Sequence, residues 1–294
     1  MRANEMKQMV GESLDKLAEA IERGESQQLK NYLAAMAKFH RYSLGNAMLI
    51  AWQRPGATQV AGFHAWRKLG RHVKKSEKGI RILAPIRWRP KRSDATDSEE
   101  EEEDRIAGFR SCCVFDISQT DGKELPEFAQ VNGEPGEYTG CLKSFVESRG
   151  IKLEYSNEIG RARGASAGGR IILREDLGGA EEFSVLVHEL AHEMLHQSKD
   201  RKPESKTVLE TEAEAVAFSV CHAVGLEAMD SSADYIQLYR GNRDTLMESL
   251  ARIRDVAVEI IRALVDRKEA RQAIAGPKQQ AHLAGQDEPV RAAA

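Results

Sequence analysis

The sequence predicts an α+β chain in two parts, a helical domain with a small sheet followed by a mixed domain built around a metal-binding helix. Three observations predict this. Apolar residues recur at helical spacing through the first fifty residues. Short β-rich runs broken by turn residues follow, between about 58 and 117. Further on, His188-Glu189-Leu190-Ala191-His192 lies inside an apolar helical run, and a second helical run rich in carboxylates comes after it.

Taken in order, Met6, Met9, Val10, Leu14, Leu17 and Ile21 mark a helix over 5–23 that ends at Gly24. Leu29, Leu33, Met36 and Phe39 mark a second, over about 25–38, and a third runs from Leu44 to Gln53, before Pro55. Thr58 to Gly62 reads as a strand, Phe63 to Leu69 as a short helix, and Val73 and Ile80 to Ile86 as strands. Phe109 to Ile117 is again strand-like and pairs back with 79–88. Residues 93–104, six consecutive acids among them, are then a solvated loop inside a hairpin.

Turn residues between 121 and 136 make 126–136 a linker, so the first domain covers 1–125 and the second 137–270. In the second domain we expect a helix over 137–148, strands at 151–156 and about 168–174, and the metal helix over 180–197. The carboxylate helix follows over 204–224, then a short helix near 231–239 and a long one over 243–267. Residues 271–294 read as a disordered tail.

Composition excludes some classes. No run is long enough to span a bilayer, and the charged N-terminal helix is not a signal peptide, so no membrane is expected and the location reads as cytoplasmic. Cys112, Cys113, Cys141 and Cys221 lack ligand spacing and read as reduced thiols without a role. The formal net charge is only −3, yet Lys38 to Arg92 carries fourteen Lys and Arg against one acid, Glu77. That segment stands at +13 and the rest of the chain at −16, an asymmetry that points to an anionic partner.

The metal chemistry follows from spacing. His188 and His192 are four apart on a helix and point the same way, so they can hold one ion. Glu189, beside the first, can take a proton from water. In Leu209-Glu210-Thr211-Glu212-Ala213-Glu214, Glu210 and Glu214 share a face. We assign Glu210 as third ligand and Glu214 as the carboxylate that orients a ligand imidazole. Glu212, rotated away, reads as a solvated surface charge. His196 is not a ligand in this reading, because Leu195 and Ser198 stand where the metzincin pattern needs Gly and His. One Zn²⁺ per chain is expected, with Tyr235 or Tyr239 as a weakly placed oxyanion donor. The segment Gly164 to Leu173, before the metal helix, is either an exposed strand edge for a substrate peptide or an ordinary core hairpin.

In the basic segment, cations alternate with rings, as a protein needs for phosphates and unstacked bases of single-stranded DNA. Candidate contacts are Arg41, Tyr42, Trp66, Arg67, Lys68, Arg71, Lys74, Lys75 and Lys78. For Tyr42 and Trp66, flanked by Arg and Lys, stacking and burial both stay open; Trp52 reads as core.

Residues 39–86, FHRYSLGNAMLIAWQRPGATQVAGFHAWRKLGRHVKKSEKGIRILAPI, together with VFDISQTDGKELP at 114–126, resemble the N-terminal domain of ArdC-type antirestriction proteins. Residues 185–218 resemble their metallopeptidase half, shared with the ImmA/IrrE zincin-like family. Its E-x-x-A-x-x-x-A helix maps onto Glu210, Ala213, Glu214 and Ala217, with Glu214 where relatives often carry Asp or Asn. The resemblance implies a single-stranded-DNA-binding domain followed by a zincin-like metallopeptidase domain, in a protein that protects incoming DNA from restriction. Two alternatives remain from it: a protein that shields single-stranded DNA with a vestigial or regulatory zinc site, and a protease that cleaves a transcriptional repressor.

Overall fold

In the computed structural model the described residues are 2–88, 105–123, 134–160, 162–196, 205–226 and 243–283. The chain divides into two compact units, Met1–Ala129 with Asp234–Ala251, and Gln130–Ala233 with Arg252–Ala294. Residues 243–251, placed by sequence in the second domain, are grouped with the first unit.

The first unit begins with three helices, α1 (Ala3–Glu22), α2 (Ser26–Lys38) and α3 (Leu44–Gln53). Met6, Leu14, Leu17 and Ile21 of α1 and Leu29, Leu33 and Met36 of α2 are buried, as their 3.6-residue period requires. Gly24 closes α1 at φ +76°, a left-handed conformation that costs glycine nothing. Ser43 caps α3, its hydroxyl accepting from the Asn46 N–H.

The sheet that follows has the order β1-β4-β3, all antiparallel, with β1 (Val60–Gly62), β3 (Ile80–Trp88) and β4 (Arg105–Asp116). Ile80 lies opposite Val114 and Ile82 opposite Cys112, so the two long strands pair across the acidic run, which itself lies outside the described residues. Ile80, Ile82 and Val114 form one core with Phe39, Ala47, Ile50 and Ala57. β2 (Arg71–Val73) and β5 (Thr120–Gly122) form a separate two-stranded ribbon, and α4 (Phe63–Lys68) lies between β1 and β2 in the chain.

Strand β3 is an edge, and α3 covers it. The Asn46 amide donates to the Leu83 carbonyl at 2.8 Å and accepts from the Leu83 N–H at 2.8 Å. One heptad later, Gln53 does the same for Arg81, at 2.8 and 2.9 Å. Residues 81 and 83 point the same way along the ladder, and 46 and 53 lie two helical turns apart. The two amides therefore satisfy an edge that would otherwise be free to pair.

The second unit holds α5 (Glu137–Ser148), a three-stranded sheet, α6 (Gly179–His196), α7 (Lys206–Ala223) and the body of α8 (Arg243–Leu283). The sheet order is β6-β8-β7: β6 (Lys152–Tyr155) runs parallel to β8 (Arg170–Leu173), and β7 (Gly164–Ser166) runs antiparallel to it. The run from Gly164 to Leu173 is therefore a hairpin, and β7 is its edge. Helix α8 continues to Leu283, so 271–283 are helical where the sequence suggested a disordered tail. Ala, Gln and Lys supply helix propensity there that the absence of an apolar stripe hides. The short helix anticipated near 231–239 lies outside the described residues. No described helix is long and apolar enough to cross a membrane.

Candidate metal centre

α6 and α7 interlock through apolar residues that are almost wholly buried: Leu186, Val187, Leu190 and Ala191 on one, Ala213, Val216 and Val220 on the other. This packing brings the polar rows of the two helices face to face. His188 Nε2 and His192 Nε2 are 3.1 Å apart, and Glu210 Oε2 lies 3.4 Å from each. Among the described residues these three form the one cluster of convergent His, Cys, Asp or Glu atoms able to share an ion. Ligands held about 2.0–2.1 Å from a tetrahedral ion are about 3.3–3.4 Å from one another, so the donor set fits a divalent metal.

Carboxylates orient and tune the two imidazoles. His188 Nδ1 faces Glu214 Oε2 at 3.4 Å. Burial alone would depress the His188 pKa, but the Glu214 contact and the charges of Glu189, Glu214 and Glu210 raise it above its ordinary value. Burial and the neighbouring His188 push His192 down to about 4. Two ring nitrogens facing each other at 3.1 Å cannot both carry a proton toward the other.

Glu189 is buried, and burial raises its pKa, with the charges of Glu210 and Glu193 adding to the rise and His188 opposing it. It accepts a hydrogen bond from the Ser166 backbone. The flanking bonds Ala167 N–H to Arg170 O and Arg174 N–H to Arg163 O put Ala165 toward β8, so the Gly164 and Ser166 N–H groups point away from β8, that of Ser166 to Glu189. A side chain on Gly164 would strike Val185 and Glu189, at 2.7 and 2.8 Å. Glycine is what lets β7 lie directly on the metal helix. Glu193, one turn beyond Glu189, accepts from the Gly168 and Gly169 N–H groups at 3.0 and 2.7 Å and pins the hairpin turn. Sequence reading passed over Glu193; its place one helical turn from Glu189, facing a Gly-Gly turn, was the available signal.

One expectation changes here. Glu212 is fully buried, not a solvated charge. The face of α7 turned away from Glu210 meets protein, and Glu212 contacts His196 Nε2 at 3.3 Å and Arg252 Nη2 at 2.8 Å. His196 in turn contacts His192, Nδ1 to Nδ1, at 2.9 Å. Tyr235 and Tyr239 lie outside the described residues.

The proposed DNA contacts divide sharply. Trp66 is 1% exposed, and its indole N–H donates to the Phe115 carbonyl at 2.9 Å, so it cannot stack on a base. Charged neighbours in sequence are no guide on a helix, where each residue turns about 100° from the last. Tyr42 is half-buried against the core, its hydroxyl donating to the Val60 carbonyl at 2.8 Å. Arg71 is committed to Thr120 and Lys123, at 2.6 to 3.0 Å, and clamps β2 to β5. Lys74 reaches the Ser118 carbonyl at 3.1 Å and Asp121 at 3.6 Å. Arg41, Arg67, Lys68, Lys75 and Lys78 are exposed. Trp52, read as core, is 64% exposed, because it sits about 200° round α3 from the buried Ile50. Phe63 is also exposed and lies four residues before Arg67, on the same side of α4.

Comparison with known proteins bears on the first part of the chain. A family model described as the N-terminal domain of anti-restriction factor ArdC matches residues 3–115. An uncharacterised protein of Bacillus anthracis is 26% identical over 79% of this chain, which spans 47% of that relative's length. Two crystal structures of the antirestriction ArdC protein from the R388 plasmid also match, one metal-free and one Mn(II)-bound. Each has a TM-score of 0.49 over 87% of this chain and 98% of theirs, at 18% and 19% identity. Residues 3–115 are thus similar to the N-terminal domain of the anti-restriction factor ArdC.

Proposed function

We propose that this is a single-stranded-DNA-binding antirestriction-type protein of the cytoplasm whose second domain hydrolyses peptide bonds with the help of a divalent ion, zinc by preference. The observation that carries the reading is the convergence of His188 Nε2, His192 Nε2 and Glu210 Oε2 within 3.1–3.4 Å of one another, with the buried Glu189 beside them. An ion in that position supplies Lewis acidity, which makes a water easier to deprotonate and a carbonyl easier to attack.

The chain's own residues then divide the work. Glu189, its pKa raised by burial, accepts the water's proton and can return it to the leaving amine. Glu214 holds the His188 ring so that Nε2 faces the site. Strand β7 offers a backbone edge along which an extended peptide can pair, aligned by the grip of Glu193 on its turn. In the first unit, Arg41, Arg67, Lys68, Lys75 and Lys78 supply exposed cations, and Trp52 and Phe63 supply exposed rings.

The test pairs gel shifts on single- and double-stranded DNA with metal quantification in the same preparation, and adds cleavage of an unfolded protein such as casein. Tighter binding to single strands, one divalent ion per chain, and cleavage abolished by Glu189→Gln with the ion retained are the expected results. Cleavage that survives Glu189→Gln, or metal content unchanged in a His188→Ala/His192→Ala chain, would overturn the hydrolase reading.

A further inference from the structure

We infer that His196, Glu212 and Arg252 form a relay that fixes the tautomer of His192, making His196 a positioning residue for the metal centre. The inference rests on the reading of His188, His192 and Glu210 as a metal site. The relay is continuous: His192 Nδ1 lies 2.9 Å from His196 Nδ1, His196 Nε2 lies 3.3 Å from Glu212 Oε2, and Arg252 Nη2 donates to Glu212 Oε1 at 2.8 Å. Its middle is sealed from water: the His196 side chain is 8% exposed and that of Glu212 not at all.

The chemistry of the groups gives the relay one direction. A guanidinium only donates, and an ionised carboxylate only accepts. Glu212, paired with Arg252, therefore takes the Nε2–H of His196. With its ring proton on Nε2, His196 presents the Nδ1 lone pair and accepts there. The proton in the 2.9 Å Nδ1-to-Nδ1 contact belongs to His192, whose own lone pair is left on Nε2, the atom that faces His188 and Glu210. His188 gets the same service from Glu214 in a single step. The two ligands are thus oriented by different devices, one through a half-exposed carboxylate and one through a buried imidazole and ion pair.

The full-length chain is compared with His196→Leu, which breaks the relay, and with His196→Gln, whose amide can accept from His192 and donate to Glu212. Zn²⁺ affinity is measured by competition with a chromogenic chelator. The His192 tautomer is read from long-range ¹H–¹⁵N correlations in the metal-free protein. His196→Leu should weaken Zn²⁺ binding about 10–100-fold, His196→Gln should restore most of it, and metal-free wild type should show His192 protonated at Nδ1. Wild-type affinity in His196→Leu, or His192 protonated at Nε2 in the wild type, would overturn the relay. If His196→Leu does not fold, the wild-type tautomer and the His196→Gln affinity still decide. Unchanged Zn²⁺ binding in His188→Ala and Glu210→Ala would instead sink the metal-site reading, and the metal-free tautomer would judge the relay separately.

Discussion

Replacing Gly164 by alanine tests whether β7 is seated on α6 as closely as the structure shows. The new Cβ would lie 2.7 Å from Val185 Cγ1 and 2.8 Å from Glu189 Cγ and Oε1. Ordinary carbon contacts are about 3.5–4.0 Å, so two alkyl atoms overlap the methyl by about 1 Å. Neither is the free end of a long side chain. Val185 is branched at Cβ, and Glu189 is buried and bonded to the Ser166 backbone. Either the strand lifts off α6 or the Glu189 side chain turns away.

Overpacking of this kind costs about 1–3 kcal/mol. For a domain of this size that corresponds to about 2–12 °C in melting temperature. Thermal unfolding is the assay, with Gly108→Ala as control, since nothing lies within 4 Å of a Cβ built at Gly108. If the proposed hydrolase activity is found, displacing Glu189 by about 1 Å should also cost about 100-fold in rate. Gly164→Ala within about 0.5 kcal/mol of wild type, the scatter of ordinary surface changes, would refute the close seating of the strand.

Three further outcomes follow from the first unit. Trp66→Ala should cost about 3–5 kcal/mol in urea unfolding, whereas Trp52→Ala should change stability by less than about 0.5 kcal/mol; equal effects would mean the two rings have been assigned to the wrong environments. Asp116 is buried, which would raise its pKa, yet hydrogen bonds from Ser118, Thr58 and Gln59 hold it below the usual carboxylate range. A depressed folded pKa stabilises above the unfolded value of about 3.9 and is lost as pH falls through the folded one. Melting temperature should therefore drop below about pH 4, and that acid-side drop should shrink in Asp116→Asn, which is itself weaker by about 1–3 kcal/mol through a misplaced donor. If Arg67, Lys68, Lys75 and Lys78 each neutralise one phosphate, replacing all four by Gln should flatten the log–log salt dependence of single-strand affinity by about 3; an unchanged slope would move the contact surface elsewhere.

Much of the architecture is legible in the sequence because periodicity reports burial directly. The period of 3.6 residues locates α1 to α3 and α5 to α7, and the β-rich runs on either side of the acidic stretch locate the β3–β4 pair. The donor cluster is legible because a helix places residues four apart on one face, whatever surrounds it. The failures share one cause, that local sequence does not say what stands opposite. Trp66, left open between stacking and burial, is buried, and Trp52, read as core among apolar residues, is exposed, since both lie on helices whose neighbours point elsewhere. Glu212 was sent to solvent because it faces away from Glu210, and only α8 and the end of α6 show that this side is occupied. Asn46 and Gln53 read as unremarkable polar residues until the edge of β3 is seen beside them.

The polar row between α6 and α7 is not needed to hold the two helices together. Their apolar residues already interlock, and a fully buried carboxylate such as Glu212 carries a desolvation cost of several kcal/mol, offset by its ion pair with Arg252 only in part. Replacing His196, Glu212 and Arg252 together with Leu, Leu and Met should therefore leave the domain equally stable, or more stable by about 1–4 kcal/mol. Glu212→Leu alone, which removes one side of the buried ion pair with Arg252, should be destabilising. If orientation of His192 is what the row provides, the triple variant should bind Zn²⁺ more weakly than wild type while unfolding at the same or higher urea concentration. A triple variant that loses stability and metal affinity together would make the row a structural brace. One that gains stability and binds metal as wild type would leave these three residues without a part in the site.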